Sequence, residues 1–106
     1  MSTPVYRFSI GKFECYVIRD QVFPMTAENI FGEYPPEEYL PLVKTYHADP
    51  NNLHMSSTCL LVDTGGELVL FDAGDGTRNE GAEGQFLNNL NVAGIDPTDV
   101  TTVVLT

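Results

Sequence analysis

The stretch TCLLVDTGGELVLFD, Thr58 to Asp72, constrains this chain more than any other. Two apolar runs, Cys59–Val62 and Leu68–Phe71, are joined by Asp63-Thr64-Gly65-Gly66-Glu67. β-Formers fill both runs, and the Gly-Gly pair supplies the positive φ of a tight connection, so the pattern predicts a β-hairpin. Neither run alternates cleanly, which predicts strands covered on both faces. The second run delivers Asp72 into the loop AGDGTR. In many α/β enzymes the carboxyl end of a strand is where chemistry sits.

The flanking segments predict further elements. Val5–Ile10 alternates Tyr6, Phe8 and Ile10 with Arg7 and Ser9, the pattern of a half-buried strand. Gly11-Lys12 suits a two-residue turn with glycine first, and Phe13–Arg19 returns with Phe13, Cys15 and Val17 on one face and Glu14, Tyr16 and Ile18 on the other. From Asp20 to Met55 the character changes: Pro24, Pro35, Pro36, Pro41 and Pro50 fall here and no period is sustained. Pro36 followed by Glu37 and Glu38 predicts a helix start, which Pro41 is expected to break or restart. Ile30, Phe31, Tyr34, Tyr39, Leu40, Leu42, Val43 and Tyr46 give this segment, about 20–55, a high apolar content for a loop. It is either a packed long loop or a lid or pocket wall, and Phe31 and His54 are candidates for such a wall.

Beyond the central hairpin, Glu83–Ala93 predicts the one main helix. Phe86, Leu87, Leu90 and Ala93 span an arc of about 120° at 100° per residue. Glu80 and Glu83 suit the positive end, and Gly94 suits the position just past the last turn. Asp96-Pro97-Thr98-Asp99 predicts a single capped turn, and Thr101–Leu105 a final strand.

With 106 residues, 42% of them hydrophobic, the chain is expected to form one domain, 1–106, with a modest core. Fifteen acidic against five basic residues leave a net charge of -10. That balance excludes a phosphate-neutralising surface and so argues against nucleic acid and anionic membranes. No apolar stretch is long enough to span a bilayer, and MSTPVYRF lacks the regions of a signal peptide, so a cytoplasmic location is expected. Cys15 and Cys59 fall in predicted strands and are expected to be buried reduced thiols, since their spacing matches no zinc pattern. His47 and His54, the two histidines, are expected in loops rather than as ligands. Gly74-x-Gly76 lacks the third glycine of a dinucleotide fingerprint, with Asn79 in its place, and no Gly-x-Ser-x-Gly elbow occurs.

The order of two hairpins, the DTGG turn, the strand ending in FDAGDG, the helix FLNNLNVAGI, the DPTDV turn and the final TTVVLT resembles the N-terminal part of a metallo-β-lactamase-fold hydrolase. The likeness is most specific over Thr58–Thr106. It implies an α+β or α/β fold, half of a four-layer αββα sandwich, with a mixed, mostly antiparallel sheet, a long proline-rich segment and one main helix. Within the superfamily that long segment is similar to one that walls the substrate pocket in lactonase-like and organophosphate-hydrolase-like members. By the same resemblance, Asp72 matches the aspartate that supports the metal-binding loop without being a ligand, and Gly74 and Gly76 match the glycines that let the loop turn. Two departures occur outside ligand positions: Gln21 follows Asp20 where Gly is common, and Ala73 stands where Thr is common.

In the family, the strand matching Val103–Thr106 leads into His-x-His-x-Asp-His, which supplies most ligands to a two-metal centre. The sequence stops one residue before that motif would begin, and the motif occurs nowhere within it. The resemblance therefore implies hydrolysis of an ester, lactone, lactam or phosphoester small molecule by the complete protein. There two divalent ions activate the water, zinc suiting the ligands, with iron or manganese as alternatives. The 106 residues alone are expected to bind no catalytic metal and to be inactive. The alternative is a non-catalytic module that self-associates as a homodimer, because half a sandwich leaves one face of its sheet open.

Overall fold

Gly11 turns the chain at φ 59° while Lys12 keeps a negative φ, the geometry of a hairpin turn with glycine first. β1 (Val5–Ile10) and β2 (Phe13–Met25) run antiparallel from this turn, with Tyr6 opposite Val17 and Phe8 opposite Cys15. The computed structural model describes residues 3–76 and 84–106. Its remaining elements are α1 (Ala27–Phe31), α2 (Pro36–Thr45), β3 (Leu53–Asp63), β4 (Leu68–Phe71), α3 (Phe86–Val92), a 3-10 turn (Pro97–Asp99) and β5 (Thr102–Val104). The five strands lie in one sheet in the order β1-β2-β3-β4-β5. β3 and β4 pair antiparallel across the predicted DTGG connection, where Gly65 has φ 91°, and β4 and β5 pair in parallel. This is the mixed, mostly antiparallel sheet with few helices that the sequence predicts. No described helix is long and apolar enough to cross a membrane.

The described chain forms two compact units, one of Met1–Gln21 with Ser57–Thr106, the other of Val22–Ser56. In the first, Ile18, Cys59, Leu61, Leu70, Phe86 and Leu90 form the core, with Val5, Tyr16, Leu68, Ile95 and Val100 packed against it. Ile18 and Leu61 are fully buried, and burial of side chains of this size is worth about 1.5–3 kcal/mol each. α3 ends as predicted: Gly94 at φ 78° donates its N–H to Asn91 O, and Ile95 N–H reaches back to Leu90 O, a two-bond stop that needs a left-handed residue between. Asp96 caps the 3-10 turn by accepting from Thr98 N at 2.9 Å.

In the second unit, Ala27, Tyr39 and Val43 form a small core against Ala48 and Leu53. Thr26 caps α1 by accepting from Asn29 N, and Ala27 N–H donates to Pro50 O. α2 does not break at Pro41. A proline at the sixth helical position removes only the bond to the Glu37 carbonyl, and Tyr39 and Val43 anchor the helix on either side of it.

Other expectations need correction. β2 continues past Arg19 to Met25 as the sheet neighbour of β3, and because β1 pairs only as far as Ile18 it leaves an edge that tolerates Pro24. β3 begins at Leu53, so His54 lies in a strand rather than a loop. The helix expected from Glu83 starts at Phe86. Glu80 and Glu83 fall outside the described residues, and Gly84 and Gln85 are not helical. Leu87, placed on its buried stripe, is 65% exposed, because a seven-residue helix rests on the sheet through Phe86, Leu90 and Ala93 alone. The alternation of β1 is not realised either: Tyr6 and Ile10 are both exposed, although Cys15, on the same face of the sheet, is buried.

Candidate functional site at the carboxyl ends of β4 and β5

Parallel pairing brings the carboxyl ends of β4 and β5 side by side, with Phe71 opposite Val104. Asp72 extends the ladder by one bond, donating its N–H to Val104 O at 2.8 Å, and then turns away at φ 65°. A left-handed backbone costs an L-residue about 1–2 kcal/mol, although aspartate tolerates it better than most. Strain of this kind clusters at functional sites. The turn aims the carboxylate at Thr106: Oδ2 accepts from its hydroxyl at 2.6 Å and Oδ1 from its backbone N–H at 2.9 Å. The hydroxyl bond, then the amide bond, hold the Asp72 carboxyl below the usual aspartate range.

The loop then passes Gly74 at φ 82° and Gly76 at φ 68°. Gly74 has a second reason to lack a side chain, for a Cβ there would sit 3.0 Å from both Asp20 Oδ1 and Phe86 Cβ. A Cβ at Gly84 would come within 2.5 Å of the same Asp20 oxygen. The backbone thus lies directly on a carboxylate that is 1% exposed. Asp20 Oδ2 accepts from Asp75 N–H at 2.7 Å, and Oδ1 accepts from Phe86 N–H at 3.0 Å. Its carbonyl accepts from Gln85 N–H, and Gly84 N–H closes onto Gly76 O. Among the described residues no buried side-chain polar atom lacks a partner.

The sequence pattern does not single out Asp20 as a site residue; its one local peculiarity is Gln21 after it where Gly is common. A signal was present: it continues the period-two series Tyr16, Ile18, Asp20 on the face that forms the core. Cys59, 2% exposed, lies in the same core, where burial and then the charge of Asp20 push its thiol pKa up. Both cysteines are free and buried, as the sequence predicts.

The candidate wall residues part company. Phe31 closes α1, with its ring 5.7 Å from that of Tyr39, and lines an apolar groove of about 530 Å³ with Tyr34, Tyr39, Leu42, Val43 and Leu53. His54 is exposed and does not line it. His47 follows α2 at φ 56°.

The donor set of the described residues does not fit a metal ion. No three His, Cys, Asp or Glu side chains among the described residues converge on a common point, and both Asp72 carboxylate oxygens are engaged by Thr106.

No family model and no curated protein matches the chain. Solved structures do. The chain is similar to a hydrolase, AbOPH, in the β-lactamase superfamily, with a TM-score of 0.86 and 26% identity over 99% of this chain and 36% of that one. It is similar to AidC, a dizinc quorum-quenching lactonase, with a TM-score of 0.83 and 22% identity over 95% of this chain and 35% of that one. A probable metal-dependent hydrolase from Staphylococcus aureus gives a TM-score of 0.69 and 20% identity over 93% and 39%. The chain spans little more than a third of the length of these proteins.

Proposed function

Because this chain has the fold of the metallo-β-lactamase-superfamily hydrolases over about a third of their length, we propose that it supplies the supporting part of such an enzyme's site. The observation that carries the reading is Asp72, held in a left-handed turn at the carboxyl end of β4 with both oxygens on Thr106. Asp72 fixes the direction in which the backbone leaves β5, where the ligand-bearing segment begins in the family. Phe31, which lines the apolar groove of the second unit, is the residue this reading assigns to contact with a small-molecule substrate. The reaction class is hydrolysis of an ester, lactone, lactam or phosphoester by water activated on two divalent ions, zinc suiting the site. No described side chain holds those ions, so the 106 residues alone are inactive in this reading.

Two measurements test it. The reading frame is followed past codon 106, where His-x-His-x-Asp-His is expected within the next few residues. A longer frame lacking the motif refutes the hydrolase reading. In parallel, the 106-residue chain is incubated with zinc or manganese and a lactone, a carboxyl ester and a phosphotriester. Turnover above buffer refutes its inactivity.

A second reading rests on a different observation, an exposed apolar patch toward one end of the β1–β2 pair. Residues opposite one another in a ladder share a face, so Tyr6, Ile10 and Phe13 lie together, away from the Ile18 core. They are 65%, 63% and 44% exposed. Leaving about 400 Å² of apolar surface wet costs about 10 kcal/mol. Two copies of the chain that pair these faces remove it, giving a non-catalytic homodimer. Light scattering at micromolar concentration is expected to report twice the 11.7 kDa chain mass, and a folded monomer excludes this reading.

A further inference from the structure

Asp72 and Asp20 sit at the two ends of one short turn, and they differ in every physical respect. Asp72 faces outward and holds Thr106, whereas Asp20 is buried and holds the backbone that follows Asp72. Between Asp72 and Asp75 there are only Ala73 and Gly74, and Gly74 is packed against the Asp20 carboxylate. The three backbone torsions of interest, at Asp72, Gly74 and Gly76, are all left-handed. Asp72 and Gly74 precede Asp75, so a change of torsion at either displaces the Asp75 N–H that Asp20 Oδ2 holds.

We infer that Asp20 is a positioning residue: its buried carboxylate sets the turn from Asp72 to Gly76 and through that turn holds the Asp72 carboxylate on Thr106. Asp20 is well placed for this because it is itself fixed from several sides. Its strand is paired to β1 up to Ile18, with Arg19 N–H donating to Pro4 O. Asn89 Nδ2 donates to the Arg19 carbonyl at 2.6 Å, and Gln85 N–H donates to the Asp20 carbonyl at 2.9 Å, so the start of α3 is tied to the same strand position. α3 has no side-chain cap of its own, and Asp20, 66 residues away in sequence, accepts from its first N–H instead. Among the described residues this carboxylate accepts from main-chain N–H groups, and it holds backbone position more stiffly than a neutral acceptor does, because bonds to a charged acceptor are shorter and stronger. The bearing of this coupling on catalysis rests on the hydrolase reading above. The coupling itself is a property of the 106 residues and can be read without activity.

The test is NMR on the 106-residue chain. Asp20→Asn keeps the shape of the side chain but replaces one acceptor oxygen with a donor. The Thr106 amide proton, downfield while bonded to a carboxylate, is expected to move toward its free-peptide position and to lose its response to the titration of Asp72. The β1–β2 ladder amides are expected to stay in place. A Thr106 resonance unmoved while the Asp75 and Phe86 amides shift overturns the inference, since Asp20 would then be a local brace only. Coupling is reciprocal. Asp72→Asn, at a position that leaves the core intact, is therefore expected to speed hydrogen exchange at the Asp75 and Phe86 amides by about fivefold or more. Exchange at both unchanged within about twofold overturns the inference even where Asp20→Asn does not fold, since such a factor amounts to a coupling below the usual range.

Discussion

Gly74→Ala and Gly76→Ala add the same methyl group at nearly the same backbone angle, φ 82° and 68°, in two different surroundings. At Gly76 no described atom lies within 4 Å of the new Cβ, so only the left-handed backbone is charged, about 1–2 kcal/mol. At Gly74 the methyl meets the Asp20 carboxylate and Phe86 Cβ at 3.0 Å, and neither can withdraw: Asp20 is held by two main-chain N–H groups and Phe86 is core. Overpacking of such a site adds about 1–3 kcal/mol, for a total of about 2–5 kcal/mol. Gly84→Ala isolates the packing part, because its φ is not positive and its Cβ would lie 2.5 Å from Asp20 Oδ1. The assay is urea unfolding of the three variants against the parent, with equal slopes required so that midpoints report stability. In a domain of this size each kcal/mol moves the melting temperature by about 4–8 °C, so the same ranking can be read thermally. The expected order of loss places Gly74→Ala and Gly84→Ala above Gly76→Ala. Equal losses at Gly74 and Gly76, within about 0.5 kcal/mol, would refute the argument that the loop is packed onto a fixed carboxylate.

Three further outcomes follow from the same structure. The Asp72 carboxyl is depressed by its bonds to Thr106, so its contribution to stability is complete above the unfolded-chain pKa and is lost as pH falls through the lower folded value. Acid titration of the parent should show that loss below the ordinary aspartate range, and Asp72→Asn should abolish it; an unchanged acid limb in the variant refutes the assignment. Leu61→Ala, at a fully buried core position, should cost about 2–5 kcal/mol, whereas Leu87→Ala, 65% exposed, should stay within about 0.5 kcal/mol by the same urea assay. Both thiols should resist a disulfide reagent at neutral pH until urea unfolds the chain, because Cys15 and Cys59 are 1% and 2% exposed and burial raises the Cys59 pKa; labelling of either within minutes in the native state contradicts this.

What the sequence made legible was local. The hairpin at Gly11-Lys12, the strand pair around the DTGG turn, the cap at Asp96 and the stop at Gly94 each depend on residues within a few positions of one another, so composition and spacing reveal them. Extents were less legible. β2 and β3 run six residues beyond their expected ends because a strand's length is set by its neighbours in the sheet, not by its own alternation. α2 runs through Pro41 because packing of Tyr39 and Val43 outweighs one missing hydrogen bond. Leu87 fits the periodic stripe as well as Leu90 does, and only the shortness of α3 leaves it outside.

The site shows the same division between local and distant causes. Asp72 could be singled out because it ends an apolar run and opens a glycine loop, a pattern contained in a few residues. Asp20 could not, because what makes it matter is 54 to 66 residues away: Gly74, Asp75, Gly84 and Phe86 all close on it. The period-two series Tyr16, Ile18, Asp20 places it on the core face, but an aspartate at the end of a β-type run is far more often solvated than buried, so that mark alone does not single it out. Its burial is tolerable only because two amides from separate parts of the chain converge on it, and unpaired in the core it would cost several kcal/mol. Gly74 and Gly84, whose missing side chains leave room for the same oxygen, are therefore the trace that Asp20 leaves in the sequence. A glycine in a loop needs a conformational reason, and Gly84, whose φ is not positive, has none except the oxygen beneath it.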